Sequence, residues 1–232
     1  MFVQIKRRLI RRLRPAVHVS LLSTLFICSA ATVLADEIAI WNFNDADLLV
    51  DHGGGTLTTN FNPVNVLFAA GTSTNARQGD PAGQALSLQG GTSNANNGRS
   101  ITFNVSTAGY TSIVVSFATQ GSGTGFTSNQ FQYSVDGVSF VDFNPPFTPP
   151  ATFGSSPVVF NLSSITGINN NPNAAFRIVF NGATSATGTN RIDNFVVEGS
   201  SAAVPEPASM LLLGSGLTAV ASFCRRMLKR HY

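Results

Sequence analysis

Between Asp36 and Ala203 this chain contains no cysteine and no lysine, and its two cysteines, Cys28 and Cys224, lie toward the ends. The middle can therefore form no disulfide and offers no thiol nucleophile or thiolate ligand. Its stability must come from an ordinary apolar core, and about 165 residues are enough to build one. Histidine is almost absent, with His52 alone in this stretch, so a histidine-rich metal centre is excluded. Trp41 is the single tryptophan, which leaves few broad flat rings for stacking on a ligand.

Positive charge is also missing from the middle. The whole chain is formally +3, yet ten of its fourteen basic residues sit at the termini: Lys6, Arg7, Arg8, Arg11, Arg12 and Arg14 at one end, Arg225, Arg226, Lys229 and Arg230 at the other. Only Arg77, Arg99, Arg177 and Arg191 remain between them, against ten carboxylates, a net of −6. A nucleic-acid partner requires clustered cations, so that class is excluded. A moderate negative charge suits a soluble exported domain.

The basic ends are addresses rather than surfaces. The first cluster is followed by an apolar run, Val17–Leu34, and by Val33-Leu34-Ala35, a small-residue site before Asp36. This is the pattern of a secretory signal peptide, with cleavage expected between Ala35 and Asp36. At the other end come Val204-Pro205-Glu206-Pro207, an apolar stretch Ala208–Phe223, and the second basic cluster. Sixteen helical residues reach roughly 24 Å, somewhat short of a ~30 Å hydrocarbon core. The span is a weak permanent anchor, and the cations behind it would keep the terminus cytoplasmic. Pro205 and Pro207 hold the approach extended, as a protease requires.

Motif, apolar helix and basic tail in this order resemble the PEP-CTERM sorting signal of Gram-negative bacteria. The resemblance covers about the last thirty residues. It implies export, a transient inner-membrane intermediate, and cutting near Val204–Pro207 by an exosortase-type membrane protease. It implies nothing about what the middle of the chain does.

Residues 36–203 read as one all-β domain, rich in Ser, Thr, Asn, Gly and Phe. Ten β-rich runs recur between turn clusters: Ile38–Phe43, Thr56–Phe61, Leu86–Gln89, Ser100–Val105, Ile113–Thr119, Phe131–Val135, Phe140–Phe143, Val158–Leu162, Phe176–Asn181 and Ile192–Glu198. Alternation is clear in Phe131-Gln-Tyr133-Ser-Val135, and Asp136-Gly137 marks a hairpin turn after it. No segment supplies the crossover helices of a parallel sheet. The expected fold is an antiparallel β-sandwich of jelly-roll type, flanked by the signal helix and a transmembrane helix. Tyr133–Phe140 and Arg191–Val197 resemble the late strands of carbohydrate-binding-module-like jelly rolls, at the level of fold only.

Candidate chemistry is sparse. Asp45, Asp47 and Asp51, with Asn42 and Asn44 nearby, form the densest set of hard oxygen ligands and are one candidate site for a structural Ca²⁺. Asp36, Glu37 and Asp193 are a second, since first and last strands can meet. His52 beside Asp51 has the residue types of a catalytic base and its orienter, but no nucleophile-elbow pattern accompanies it. Trp41 lies in an apolar run and reads as core. Phe147, within Asn144-Pro-Pro-Phe-Thr-Pro-Pro150, is the candidate ligand-facing aromatic, the alternative being that its proline loop folds over one end of the sandwich.

These readings lead to a non-catalytic protein of the cell surface or extracellular matrix, associated with exopolysaccharide. Two alternatives stand beside it. A carbohydrate-binding module with one defined glycan ligand would need exposed ring faces. A glycoside hydrolase would need two carboxylates ~5–9 Å apart, and no obvious pair is present.

Overall fold

The computed structural model describes residues 35–201 and residue 216. The signal segment, the sorting motif, the apolar span and the basic tail lie outside the described residues. Among the described residues no helix is long and apolar enough to cross a membrane.

Residues 35–201 form the antiparallel sandwich that the alternation implies. Its strands in chain order are β1 (Asp36–Trp41), β2 (His52–Gly53), β3 (Thr56–Thr59), β4 (Val66–Ala70), β5 (Gln84–Gln89) and β6 (Arg99–Asn104). They continue with β7 (Tyr110–Gly121), β8 (Ser128–Ser134), β9 (Val141–Asp142), β10 (Val158–Asn161), β11 (Ala175–Asn181) and β12 (Thr189–Ser201). Seven strands form one sheet, ordered β10-β7-β12-β1-β2, with β5 and β4 continuing from β12. The other five form the second sheet, ordered β3-β6-β11-β8-β9. Eight of the eleven connections pass from one sheet to the other, so the sheets are wound together in jelly-roll fashion rather than built as separate meanders.

Strand β12 organises the larger sheet. One edge pairs with β7 over most of its length. The other edge is shared, with β5 on Thr189–Ile192 and β1 on Phe195–Gly199. A register shift between Asp193 and Val196 separates the two halves. Asn194 there adopts φ +48°, a left-handed conformation that asparagine tolerates better than most residues.

The core is aromatic. Phe103 from the smaller sheet stacks on Phe195 from the larger, with centroids 3.5 Å apart. Trp41 is fully buried and meets both rings edge-on, and its Nε1 donates to the Leu48 carbonyl. Phe131 and Phe160 make a second stacked pair between the sheets. Such rings bury large areas and add roughly 0.5–1.5 kcal/mol per well-set pair beyond that burial. Trp41 is thus structural, as its apolar run implies.

The two sheets differ on their outward sides. Residues 71–83 join β4 to β5 and cross the outer face of the seven-stranded sheet as a strap. Thr72 N donates to Asp193 Oδ2 at 2.7 Å. Asn194 Nδ2 donates to the carbonyls of Thr72 and Thr74. Asn75 Nδ2 donates to the Asn194 carbonyl and to Ser116 Oγ on β7. Arg77 reaches Glu198 at 2.9 Å and Glu37 at 3.5 Å, and Gln78 also donates to Glu37. The strap begins at Gly71 because a side chain there would collide with the Asp193 carboxylate and the Ala82 carbonyl. Beneath it Ser116, Ala118, Asp193, Asn194 and Val196 are buried, although they point away from the core.

Candidate functional site

Among the described residues, the outer face of the five-stranded sheet carries no comparable strap. Its register lines up Thr58 (β3), Thr102 (β6), Arg177 (β11), Gln132 (β8) and Asp142 (β9) in one row. Each lies on the opposite side of its strand from a core-facing neighbour such as Leu57, Phe103, Phe176 or Phe131. At ~4.8 Å between strands, the row runs about 19 Å across the sheet. All five residues are half-buried or exposed. Thr56 and Asn104 extend the polar surface on one side, and Gln130 on the other.

Arg177 sits at the centre of this row and is held by two groups, Gln132 and Phe140. Its Nε donates to Gln132 Oε1 at 2.8 Å. Gln132 is itself fixed, because its Nε2 donates to Asp142 Oδ1 at 2.7 Å. The ring of Phe140 lies against the guanidinium, with Cζ 3.6 Å from the ring centroid. Burial pulls the Arg177 pKa down and the Asp142 charge opposes that, so the group stays cationic. Its two terminal nitrogens make no hydrogen bond among the described residues. The Phe140 position follows from the turn before it. Asp136 Oδ1 accepts from Val138 N and Ser139 N, and Gly137 takes φ +76°. Those amides, that of Ser139 most, hold the Asp136 pKa far below the usual carboxylate range.

The residues singled out in the sequence take up other places. Phe147 does not face outward. The flanking prolines keep its segment extended, so it forms a bridge with Asn129 beside β8, and the ring packs 5.9 Å from both Phe117 and Phe160. The aromatic on the open face is Phe140 instead.

Neither carboxylate set forms a metal-binding group, and among the described residues no three His, Cys, Asp or Glu side chains do so. Asp36 and Glu37 pair with Gly199 and Glu198 on β12, whereas Asp193 lies beyond Phe195, which pairs with Trp41 at the other end of β1. Asp193 is buried, and desolvation pushes its pKa up to about 7 against the hydrogen bonds from Thr72 and Asn194. Of the other set, Asp51 accepts from Asn42 N and Asp47 from Leu49 N, as loop-fixing groups do. Burial raises the Asp51 pKa, and the charges of Asp45 and Asp47 add to that. His52 Nε2 lies 3.9 Å from Asp80 Oδ2, which also accepts from Asn42. Among the described residues His52 makes no hydrogen bond to a serine.

Ala35 and Asp36 are exposed where β1 begins, so the expected signal-cleavage bond lies at the edge of the sandwich rather than inside it. Val204, Pro205, Glu206 and Pro207, with Arg225, Arg226, Lys229 and Arg230, lie outside the described residues.

The fold thus defines an all-β sandwich with one strapped and one open polar face. Residues 203–226 match the family model of the PEP-CTERM protein-sorting motif, so the chain carries that motif and is of the exported, sorted class. No curated protein matches the chain. Among solved structures it is similar to the CBM22-1 xylan-binding domain of Paenibacillus barcinonensis Xyn10C, at 13% identity and TM-score 0.45, covering 75% of this chain and 100% of that one. It is also similar to domain 4 of AbnA, a GH43 extracellular arabinanase from Geobacillus stearothermophilus in complex with arabinotriose, at 13% identity and TM-score 0.43, covering 73% and 95%. A third is the enzymatically active domain of the Bacteriophage CBA120 tailspike protein 4, at 12% identity and TM-score 0.40, covering 67% of this chain and 20% of that one. These likenesses are distant, and the fold described above rests on this chain's own strands.

Proposed function

We propose that this protein is a non-catalytic component of the cell surface or extracellular matrix, retained in exopolysaccharide through the outer face of its five-stranded sheet. Export removes residues 1–35, and an exosortase-type protease cuts near Val204–Pro207 after a transient stay in the inner membrane. The observation that carries the binding part is the row Thr58, Thr102, Arg177, Gln132 and Asp142, a band of hydroxyl, amide and charged groups across an unstrapped sheet. Sugars present hydroxyls, and such a band can exchange hydrogen bonds with them along its length. Affinity per sugar is low, because among the described residues Phe140 is the aromatic on this surface and its ring lies against Arg177. The row holds one carboxylate, Asp142, where glycoside hydrolysis needs two facing the same bond.

Co-sedimentation of the purified full chain with exopolysaccharide isolated from the producing cells tests this. Retention is expected, weakened by substitutions along the row and unaccompanied by release of reducing sugar. Free passage through the matrix would overturn the binding role, and sustained sugar release would overturn the non-catalytic one. Mass spectrometry of the extracellular product tests processing, which predicts that neither terminus is intact.

A further inference from the structure

We propose that Arg177 is a receptor for the carboxylate of an acidic sugar, so that the polysaccharide this face selects is one bearing uronate-type units. This rests on the reading of the face as polysaccharide-binding and names the ligand class.

The geometry distinguishes Arg177 from the other arginines between the targeting ends. Arg77 is engaged with Glu198 and Glu37 under the strap. Arg99 donates to the Asn60 carbonyl at the end of β6, and Arg191 donates to the Ala70 carbonyl. Arg177 alone stands in the middle of the open row. Its Nε is held by Gln132, its flat side by Phe140, and Gln132 by Asp142. The chain Asp142–Gln132–Arg177 fixes the plane of the guanidinium before any ligand arrives. What is left available is the edge carrying the two terminal nitrogens, the fork that pairs bidentately with a planar carboxylate. Rotamer freedom that a mobile arginine would lose on binding is already lost here. Asp142 acts on the guanidinium by its charge but makes no ion pair with it among the described residues, and its Oδ1 accepts from Gln132 Nε2, so the fork is not occupied by it. The neighbouring Thr102 and Thr58 continue the row away from Arg177, where hydroxyls of adjoining sugar units would lie.

Net charge makes the idea discriminating. A segment of net −6 repels a polyanion at long range. Preference for an acidic over a neutral polymer would therefore have to arise at a local, built site.

The full chain in mild detergent is to be run through affinity gels containing polygalacturonate or its fully methyl-esterified form, which keeps the sugars and removes the charge. The expected result is at least tenfold tighter binding to the acid form, decreasing with salt. Arg177→Gln should lower the acid-form affinity about tenfold and bring the two polymers level. Arg177→Lys keeps the charge without the fork and should recover only part of the difference. Arg99→Gln changes net charge equally and should behave as the unsubstituted chain. Melting curves verify that each variant is folded, and the acid-against-ester comparison on the unsubstituted chain needs no variant at all. Equal binding to both polymers, or an equal loss in Arg99→Gln, overturns the proposal. If both polymers pass unretarded while the cells' own exopolysaccharide still retains the chain, the acidic-sugar site fails and the matrix role stands. If that retention is also absent, both fail.

Discussion

The strapped face and the open face of the sandwich obey the same alternation of inward apolar and outward polar residues, yet they use their polar groups differently. On the seven-stranded sheet the outward groups bond to the strap: Asp193 accepts from Thr72 N, Asn194 Nδ2 donates to the carbonyls of Thr72 and Thr74, and Ser116 Oγ accepts from the side-chain amide of Asn75. On the five-stranded sheet Thr58, Thr102 and the edge of Arg177 remain half-buried or exposed. Buried polar groups must be paired, and leaving one unpaired costs about 1–3 kcal/mol. The strapped face is thus committed to stability. The open face can change its residues at little structural cost, which is the condition for a surface that evolves toward a ligand.

The largest effect should come from cutting the strap's central tie. Asn194→Ala removes the donor to two backbone carbonyls and places alanine at φ +48°. Its expected cost is about 2–4 kcal/mol, read as a lower urea midpoint. Thr102→Ala on the open face should stay within about 0.5 kcal/mol. If both variants lose the same stability, the faces do not differ in the way described.

Acidity sharpens the comparison next. Asp193 titrates near 7 when folded and near the ordinary aspartate value of 3.8 when unfolded, because burial disfavours its charge. Between those two values the folded state holds a proton that the unfolded state has released. Stability contributed by the neutral form is therefore complete below about pH 4, declines as pH rises toward 7, and levels off above it. The change is of order 4 kcal/mol. Thermal unfolding across pH 4–8 should show it, and Asp193→Asn should flatten the curve. A stability that rises over this interval would show that the hydrogen bonds from Thr72 and Asn194 outweigh desolvation.

A smaller effect is expected at the strap's ionic tie. Arg77→Ala removes the pairs with Glu198 and Glu37 and the bonds to Asn75. These groups are partly solvated, so the loss should be about 1–2 kcal/mol, and its ionic portion should shrink at high salt. An effect insensitive to salt would assign the role to packing of the arginine stem.

Much of the fold was legible because it depends on local alternation. The ten β-rich runs correspond to ten of the twelve strands. The two missed are informative. β2 is two residues long, and β4, Val66-Leu-Phe-Ala-Ala70, has no alternation because it is an edge strand with both sides partly covered. The run Thr56–Phe61 extends two residues past β3, because the Thr59 hydroxyl accepts from Phe61 N and turns the chain out of the strand. The sites were far less legible. Asp193 is a candidate ligand by residue type, and an isolated carboxylate near the last strand does not reveal a bulge beneath a strap. Nothing in the sequence marks residues 71–83 as a strap, because β4 carries no alternation and the thirteen-residue link from it to β5 is defined only by the strand pairing. Phe140 and Arg177 are thirty-seven positions apart, and their meeting depends on cross-strand register, which no single-strand pattern encodes.

The smallest expected change in stability belongs to Gln132→Ala, and it is the most searching test of the open face. Gln132 links Asp142 to Arg177, but all three are at least partly solvated, so water can replace the lost bonds. Stability should shift by no more than about 0.5 kcal/mol. Arg177 would keep its contact with Phe140 but lose the group that fixes its Nε. If the row serves only to solvate the sheet, polysaccharide retention should not change. If Arg177 must be held in place to bind, retention should fall several-fold with the melting curve unaltered. A large loss of stability in Gln132→Ala would instead make this row as structural as the strapped face and dissolve the contrast between them.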